Sequence, residues 1–438
     1  MNQQNQPAHL KNKSPAKTKK KQTILNHKND LGPYYTLMEQ SLSNDLLLNV
    51  AQQFGTPVYV YHAEKIKSQF EKLSSALSVL DTRIFYAVKA LTNVNVIRYV
   101  NSIGCNIDCS SVNEVKLALH AGVEPGNILY TSNGISFEEI VEAADAGVHI
   151  NIDSLSNLEK FGKKYGHSYP VGIRIRPNIM AGGNLKISTG HDKSKFGIPV
   201  EQLEELLQIV KDNNIFIRTL HLHTGSEIKD ADVFVKGIEV LFDLMHHFPE
   251  LEVLDLGGGF KVPYKASEKE TDVVKLGQKL KQAFDEHPTA DHRKLQVWFE
   301  PGKFLVAQCG YLLTKVNVMK QNGDVEIAGI DTGLNHLIRP MMYDAYHYIT
   351  NLSNPNGQEK KYMVTGYICE TDTFADDRML PEIKEGDILA IHNAGAYGFE
   401  MSSNYNSRYK PAEVLVKDGV PQLIRRRDTF EDLLRTQL

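Results

Sequence analysis

Eight short apolar runs alternate with segments of helical periodicity over residues 84–299, and no other feature constrains the fold as strongly. The runs fall at 84–88, 103–108, 128–130, 149–152, 171–175, 217–222, 253–256 and 297–299. Between them, 93–101, 112–121, 137–146, 155–165, 200–211, 231–247 and 273–286 repeat apolar residues at the spacing of one helix face. Two parallel strands need a crossover long enough to hold a helix, so this order predicts a parallel α/β sheet. An open doubly wound sheet satisfies the same order. Eight regular units favour closure into an (α/β)8 TIM-like barrel.

A helix at 46–54, a strand at 57–61 and a helix at 64–77 precede that rhythm. After Gly310 the helical spacing stops. Runs at 311–319, 325–330, 361–368, 387–391 and 413–416, punctuated by Gly323, Gly366, Gly386 and Gly419, predict a C-terminal all-β domain. Residues 429–438 read as a short final helix. The expected division is a disordered basic tail at 1–30, an N-terminal segment at 31–62, the cofactor-binding barrel at 63–309 and the β domain at 310–438. The 57–61 strand could pair with the barrel it precedes; the division assigns it to the β domain.

A length of 438 residues suits two domains, and 42% hydrophobic with 23% charged residues suits a soluble globular chain. No apolar run approaches membrane-spanning length. Residues 1–28 carry seven lysines and no acid, and lack the apolar core of a secretory signal. Taking those seven charges from the net −4 leaves about −11 for the remainder, which speaks against nucleic acid as the main partner. Cys105, Cys109, Cys309 and Cys369 form no Cys-x-x-Cys pair and read as reduced thiols of a cytoplasmic protein.

In such a barrel, chemistry gathers where strands end, at the C-terminal face. The first run ends in Lys89, the second in Asp108, and Thr131-Ser132-Asn133-Gly134 follows the third. Arg174 stands near the end of the fifth, and His221-Leu222-His223-Thr224-Gly225-Ser226 closes the sixth. The seventh runs into Gly257-Gly258-Gly259 and the eighth into Glu300-Pro301-Gly302-Lys303. Alone, Lys89 reads as a surface lysine snorkelling from a strand end. The convergence of polar residues on one face reverses that reading.

Three consecutive glycines strip side chains from the backbone and let N–H groups approach an anion. Phosphate sites in these barrels lie in the loops after strands seven and eight, where Gly257, Gly258, Gly259 and Gly302 stand. A metal on His221 and His223 lacks a third ligand of diagnostic spacing, so no metal is expected. A histidine laid on a planar cofactor is the better reading. Glu300, beside a phosphate, is better placed against a protonated ring nitrogen. An amine, a phosphate cradle, a carboxylate for a ring nitrogen and an imidazole for a ring face describe pyridoxal 5'-phosphate held covalently on Lys89.

The run Phe85-Tyr86-Ala87-Val88-Lys89-Ala90 resembles the cofactor-lysine motif of the fold-type III pyridoxal phosphate decarboxylases. His223-Thr224-Gly225-Ser226, Leu254-Asp255-Leu256-Gly257-Gly258-Gly259 and Glu300-Pro301-Gly302 resemble further motifs of that family, in the same order. So do Cys369-Glu370 and Ser403-Asn404-Tyr405-Asn406, and the likeness runs from about Pro57 to Leu438. Within the ornithine, diaminopimelate and arginine decarboxylase group, the chain looks most like the diaminopimelate decarboxylases. That likeness rests on Lys186-Ile187-Ser188-Thr189-Gly190, on Ser194-Lys195-Phe196-Gly197 and on the block from Arg339 through Tyr343 to His347.

The resemblance implies an alanine racemase-like architecture and decarboxylation of meso-2,6-diaminopimelate to L-lysine, the last step of lysine biosynthesis. It implies Lys89 as the cofactor lysine and Cys369 as general acid. It implies cofactor contacts at Asp108, Arg174, His223, Ser226, Gly257, Gly258, Gly259, Glu300, Gly302 and Tyr405. Substrate contacts fall to Lys303, Arg339, Tyr343, Glu370 and Tyr405. A distal carboxylate suits arginine and tyrosine, and a distal ammonium suits a carboxylate. The resemblance also implies a homodimer with shared sites, Cys369 and Glu370 coming from the partner. Its alternatives are a carboxynorspermidine or other basic amino acid decarboxylase and an inactive regulatory homologue. Lys303 stands where the family usually has arginine; lysine keeps the charge but loses the bidentate fork. Either a lysine suffices there or a neighbour compensates.

Overall fold

The computed structural model describes residues 41–177, 194–265, 267–287 and 294–438. The predicted tail and the 186–190 motif lie outside the described residues. The strands up to residue 299 are β1 (Val58–His62), β2 (Thr82–Ala87), β3 (Asn106–Cys109), β4 (Ile128–Thr131), β5 (His149–Ile152), β6 (Val171–Arg176), β7 (Ile198–Pro199), β8 (Ile217–His221), β9 (Val253–Asp255) and β10 (Gln296–Phe299). Eight of them form one parallel sheet in the order β5-β4-β3-β2-β10-β9-β8-β6, and β5 pairs with β6, so the sheet closes. The two residues of β7 add to β6 at the rim. The eight predicted runs are these eight strands. The second begins only at Asn106, because Ile103 caps the helix Val94–Ser102 and Gly104 turns the chain with φ 93°.

Strand alternation divides the barrel residues into two sets. Phe85, Leu129, Val253 and Trp298 form a buried cluster of their own, with the Phe85 and Trp298 rings 4.6 Å apart. Arg174, His221 and Asp255 are register partners across β6, β8 and β9, so they share one layer. The helices that follow the strands start from side-chain caps: Asn93, Ser111, Ser136, Ser154, Asp230 and Asp272 each accept a first-turn N–H. Each cap contributes about 1 kcal/mol and defines where the preceding loop ends.

The remaining strands are β11 (Gly310–Asn322), β12 (Val325–Ile330), β13 (Ile349–Asn351), β14 (Glu359–Thr365), β15 (Thr373–Pro381), β16 (Ile388–His392), β17 (Ala412–Lys417) and β18 (Val420–Arg425). They make a second sheet ordered β15-β14-β12-β11-β1-β17-β18, with β16 pairing β11 and β13. β1 lies antiparallel to β11 and parallel to β17, so it pairs with this sheet and not with the barrel it precedes. β13, β15 and β18 escape the sequence reading. β15 and β18 are the two ends of the sheet order: β15 carries Asp376, Asp377 and Arg378 in its middle, and β18 holds Pro421 and leaves Val420 and Leu423 exposed, as edge strands do. β13 is only three residues long.

Helix Val273–Glu286 packs on helix Ala63–Leu77 through Gly277, where an added Cβ would lie 2.1 Å from the Ala76 carbonyl oxygen. Alanine normally favours a helix interior over glycine by about 1 kcal/mol. Here overpacking against backbone reverses the sign. Gly277→Ala is expected to lower the melting temperature; an unchanged or raised value would show that the two helices separate freely.

Candidate active site

A cavity of about 330 Å³ opens at the C-terminal ends of the barrel strands, lined among others by Lys89, Arg174, His223, Ser226, Glu300 and Tyr397. Lys89 stands on a 3-10 turn, Val88–Ala90, directly after β2. Its Nζ lies 3.2 Å from Ser110 Oγ and 3.6 Å from Asp108 Oδ2. The turn is deep in the barrel mouth, yet 47% of the lysine side chain is open to the cavity. Asp108, from β3, is buried, and neither of its oxygens has a hydrogen-bond partner among the described residues. Glu300 follows β10, also buried, 3.5 Å from His221 Nε2. Arg174 lies over the Phe196 ring at 4.7 Å.

These groups set one another's protonation. Burial works against the Lys89 ammonium, but Asp108, then Tyr397 and Glu300, outweigh it and hold its pKa above the usual lysine range. Burial and then Glu300 push Asp108 well up, with Lys89 opposing. Burial favours neutral Glu300 too, but His221, then Lys89 and His223, bring it below the usual carboxylate range. His221 is itself pulled down by burial, against Glu300, so it cannot supply a full positive charge. Burial and Arg174 hold His223 down at about 3. Its ring is neutral, and Nδ1 accepts the Gly258 N–H at 3.2 Å, which leaves the proton on Nε2.

The three glycines divide their work. The Gly257 N–H donates to Asp255 Oδ1 at 2.9 Å and the Gly258 N–H to His223. Gly259 and Gly302 line the cavity. Sequence alone offered all three loop N–H groups to an anion; the first two are engaged within the chain. Backbone crossing is a further reason for glycine. A Cβ on Gly258 would lie 2.2 Å from the Glu300 carbonyl oxygen, and one on Gly259 would lie 2.1 Å from that of Gly225.

A second cavity of about 390 Å³ adjoins the first and shares Ser226, Lys303 and Tyr397 with it. Arg339 and Tyr343 line it from the short helix Arg339–Tyr343. The Arg339 guanidinium lies 5.3 Å from the Tyr264 ring. Arg339 Nε and the Tyr264 hydroxyl are buried and lack hydrogen-bond partners among the described residues. Lys303 is paired with Glu227, whose second oxygen lies 3.1 Å from Lys261 Nζ.

Cys369, Glu370 and Tyr405 are gathered elsewhere, on the surface. The Tyr405 hydroxyl donates to Glu370 at 2.5 Å, and Asn406 Nδ2 lies 3.3 Å from Cys369 Sγ. Glu370 raises the Tyr405 hydroxyl to about 12. None of the three lines either cavity of its own chain. The tyrosine that lines both cavities is Tyr397, which sequence reading passed over along with Ser110 and Glu227. The available signal for Tyr397 was the run Gly395-Ala396-Tyr397-Gly398, whose tyrosine adopts φ 57°. His221, Asp255 and Glu300 bring ligand-type atoms within 4.8 Å of one another, a cluster that strand spacing could not reveal.

Gly258→Ala is expected to cost about 1–3 kcal/mol in denaturant unfolding, because the loops after β9 and β10 must part. Gly126→Ala, where a Cβ meets nothing within 4 Å, serves as the control and is expected to be near neutral. Equal costs at both positions would remove the argument from backbone crossing.

The family described as "Pyridoxal-dependent decarboxylase, pyridoxal binding domain" matches residues 63–307. A diaminopimelate decarboxylase of Methanothermobacter thermautotrophicus is 39% identical over 400 residues, covering 89% of this chain and 93% of that protein. One of Aquifex aeolicus is 34% identical over 402 residues, covering 90% and 94%. The crystal structure of the Helicobacter pylori diaminopimelate decarboxylase complexed with L-lysine superposes with a TM-score of 0.82 at 31% identity, covering 89% of this chain and 98% of that one.

Proposed function

The chain belongs to the pyridoxal-dependent decarboxylase family, and we propose that it converts meso-2,6-diaminopimelate to L-lysine and carbon dioxide with pyridoxal 5'-phosphate. The observation that carries this reading is the pair of adjoining cavities: one holds Lys89, His223 and Glu300, the other Arg339, Tyr343 and Lys303. A substrate with two amino acid centres suits two such chambers. The relatives' names and the lysine-bound neighbour support the same choice.

The residues present fit the cofactor. Buried oxygens of Asp108 and Glu300 lack hydrogen bonds, and Gly259 and Gly302 keep the cavity wall free of side chains. Bound there, pyridoxal phosphate supplies an electron sink for the pair left behind as the carboxylate departs. Lys89 Nζ would be its covalent anchor. The Glu300 carboxylate would accept the ring-nitrogen N–H and keep that nitrogen protonated. Neutral His223 would face the ring without repelling its charge. Ser226, the glycine loops and the Tyr397 hydroxyl would receive the phosphate, with Gly257 and Gly258 shaping the loop around it. Asp108 and Arg174 would complete the wall. Arg339, Tyr343 and Lys303 take the distal carboxylate.

Cys369, Glu370 and Tyr405 act across a homodimer interface in this reading. Their exposure in the single chain supports it. Cys369 Sγ of the partner subunit gives its proton to the α-carbon, and Glu370 of the partner subunit, held by Tyr405 of the partner subunit, takes the distal ammonium. Four free cysteines suit a reducing compartment such as the cytoplasm.

Offered meso-diaminopimelate, ornithine, arginine and carboxynorspermidine side by side, the protein is expected to release carbon dioxide from the first, with L-lysine as product. Preference for a substrate without a distal carboxylate would reject the role of Arg339. Lys89→Ala and Cys369→Ala are each expected to lose nearly all activity. Mixed under conditions of subunit exchange, they are expected to regain part of it through hybrid dimers with one intact site. Failure to regain any would reject shared sites.

A further inference from the structure

Lys303 sits on the seam between the two cavities and lines both. Its side chain is only 10% exposed. Arginine at this place would stay charged regardless of burial, because a guanidinium does not deprotonate in proteins. A buried lysine has no such guarantee. Burial and then the neighbouring Arg339 pull Lys303 down to about 7. Some group must oppose them if a cation is to stand here.

That group is Glu227, the residue after Ser226. Its backbone adopts φ 62°, uncommon for a residue with a side chain. Its carboxylate lies between two lysines: one oxygen pairs with Lys303 and the other is 3.1 Å from Lys261. Lys261 in turn reaches Glu268 at 3.7 Å. The charged groups around the seam are thus Glu227, Lys261, Lys265 and Glu268 from the loops after β8 and β9, Arg339 from its short helix with Asp344 just after it, and Glu300 three residues before Lys303. Tyr397 adds a hydroxyl.

We infer that Glu227 is a positioning residue which keeps Lys303 protonated and directed along the seam, so that a lysine–glutamate pair does the work of one arginine. Lys261 completes the arrangement. When a ligand carboxylate draws Lys303 toward Arg339, Glu227 keeps Lys261 as its counter-ion and is not left as an uncompensated charge. The role of the carboxylate ligand rests on the proposed function; the ionisation of Lys303 does not.

The sign follows from the pair. An opposite charge in contact raises a lysine pKa, by about one to three pH units. Removing it should move the Lys303 midpoint down from its wild-type value. The experiment follows the lysine side-chain resonances of the isotope-labelled holoenzyme with pH, assigning Lys303 by the signal lost in Lys303→Arg. Glu227→Gln is expected to lower the Lys303 midpoint by about one pH unit or more. Glu227→Asp, which keeps the charge, is expected to stay near wild type and guards against a folding defect. With meso-diaminopimelate, Glu227→Gln is expected to raise KM about tenfold or more between roughly pH 6 and roughly pH 9 relative to wild type, with kcat far less affected, as the cation is titrated away. Adding Lys303→Arg to Glu227→Gln is expected to abolish that pH dependence, which a merely structural defect would not do. Identical Lys303 midpoints in wild type and Glu227→Gln, or a pH dependence that Lys303→Arg leaves in place, would overturn the inference. Absence of any turnover of diaminopimelate by wild type would sink the proposed function alone, since the resonance titration stands without substrate.

Discussion

Four ionisable side chains, Asp108, Arg174, Asp255 and Glu300, are buried at the mouth of one barrel, and Lys89 opens from their midst into the cavity. Burying charge without partners is among the costliest things a fold can do. The chain tolerates it because strand register puts opposite charges in one layer: Arg174, His221 and Asp255 are neighbours across β6, β8 and β9. Three acids against two cations leave the layer unable to ionise fully. Asp108 and Asp255 are both driven toward their neutral forms, while Glu300 keeps its charge. The cavity is where this frustration faces outward, and unpartnered oxygens there are what a cationic ring nitrogen would satisfy.

The loops that carry these groups are bound to one another through backbone. The Glu300 N–H donates to the Gly257 carbonyl, a Cβ on Gly259 would strike the Gly225 carbonyl, and the Gly258 N–H fixes the tautomer of His223. A shift in one loop is therefore felt in the other two. The seam with the second cavity belongs to the same knot, since Ser226, Glu227 and Lys303 extend from these loops. Arg339 in the second cavity and Lys89 in the first are thereby held in a common frame.

Much of this was legible in the residues. The eight strands carry short apolar runs because both faces of a barrel strand are buried, and their polar ends announce the mouth. The edge strands β15 and β18 were not legible, because the first is interrupted by Asp376, Asp377 and Arg378 and the second by Pro421, features an exposed edge tolerates but that read like loop. β1 was ambiguous for a different reason: its apolar pattern, buried at nearly every residue, fits either sheet, and only pairing with β11 and β17 decides. Tyr397 was hidden among glycines and alanine in a stretch without regular structure, while Tyr405 stood in a recognisable motif. The structure puts the first at the cavities and the second on the surface with Cys369 and Glu370.

By itself the sequence determined the order of parallel α/β units, the second β domain and the set of chemical groups at the strand ends, because each is written in local periodicity or in single residues. Closure of the sheet, the placement of Tyr397 at the cavities and the engagement of Gly257 and Gly258 within the chain were decided only by tertiary structure. So was the partner of Lys303. Glu227 lies 76 residues away along the chain, and no local pattern records that the loops after β8 and β10 meet. The physical reason is common to all of these: contact across a barrel mouth depends on register and loop path, which emerge only when every strand has found its neighbour.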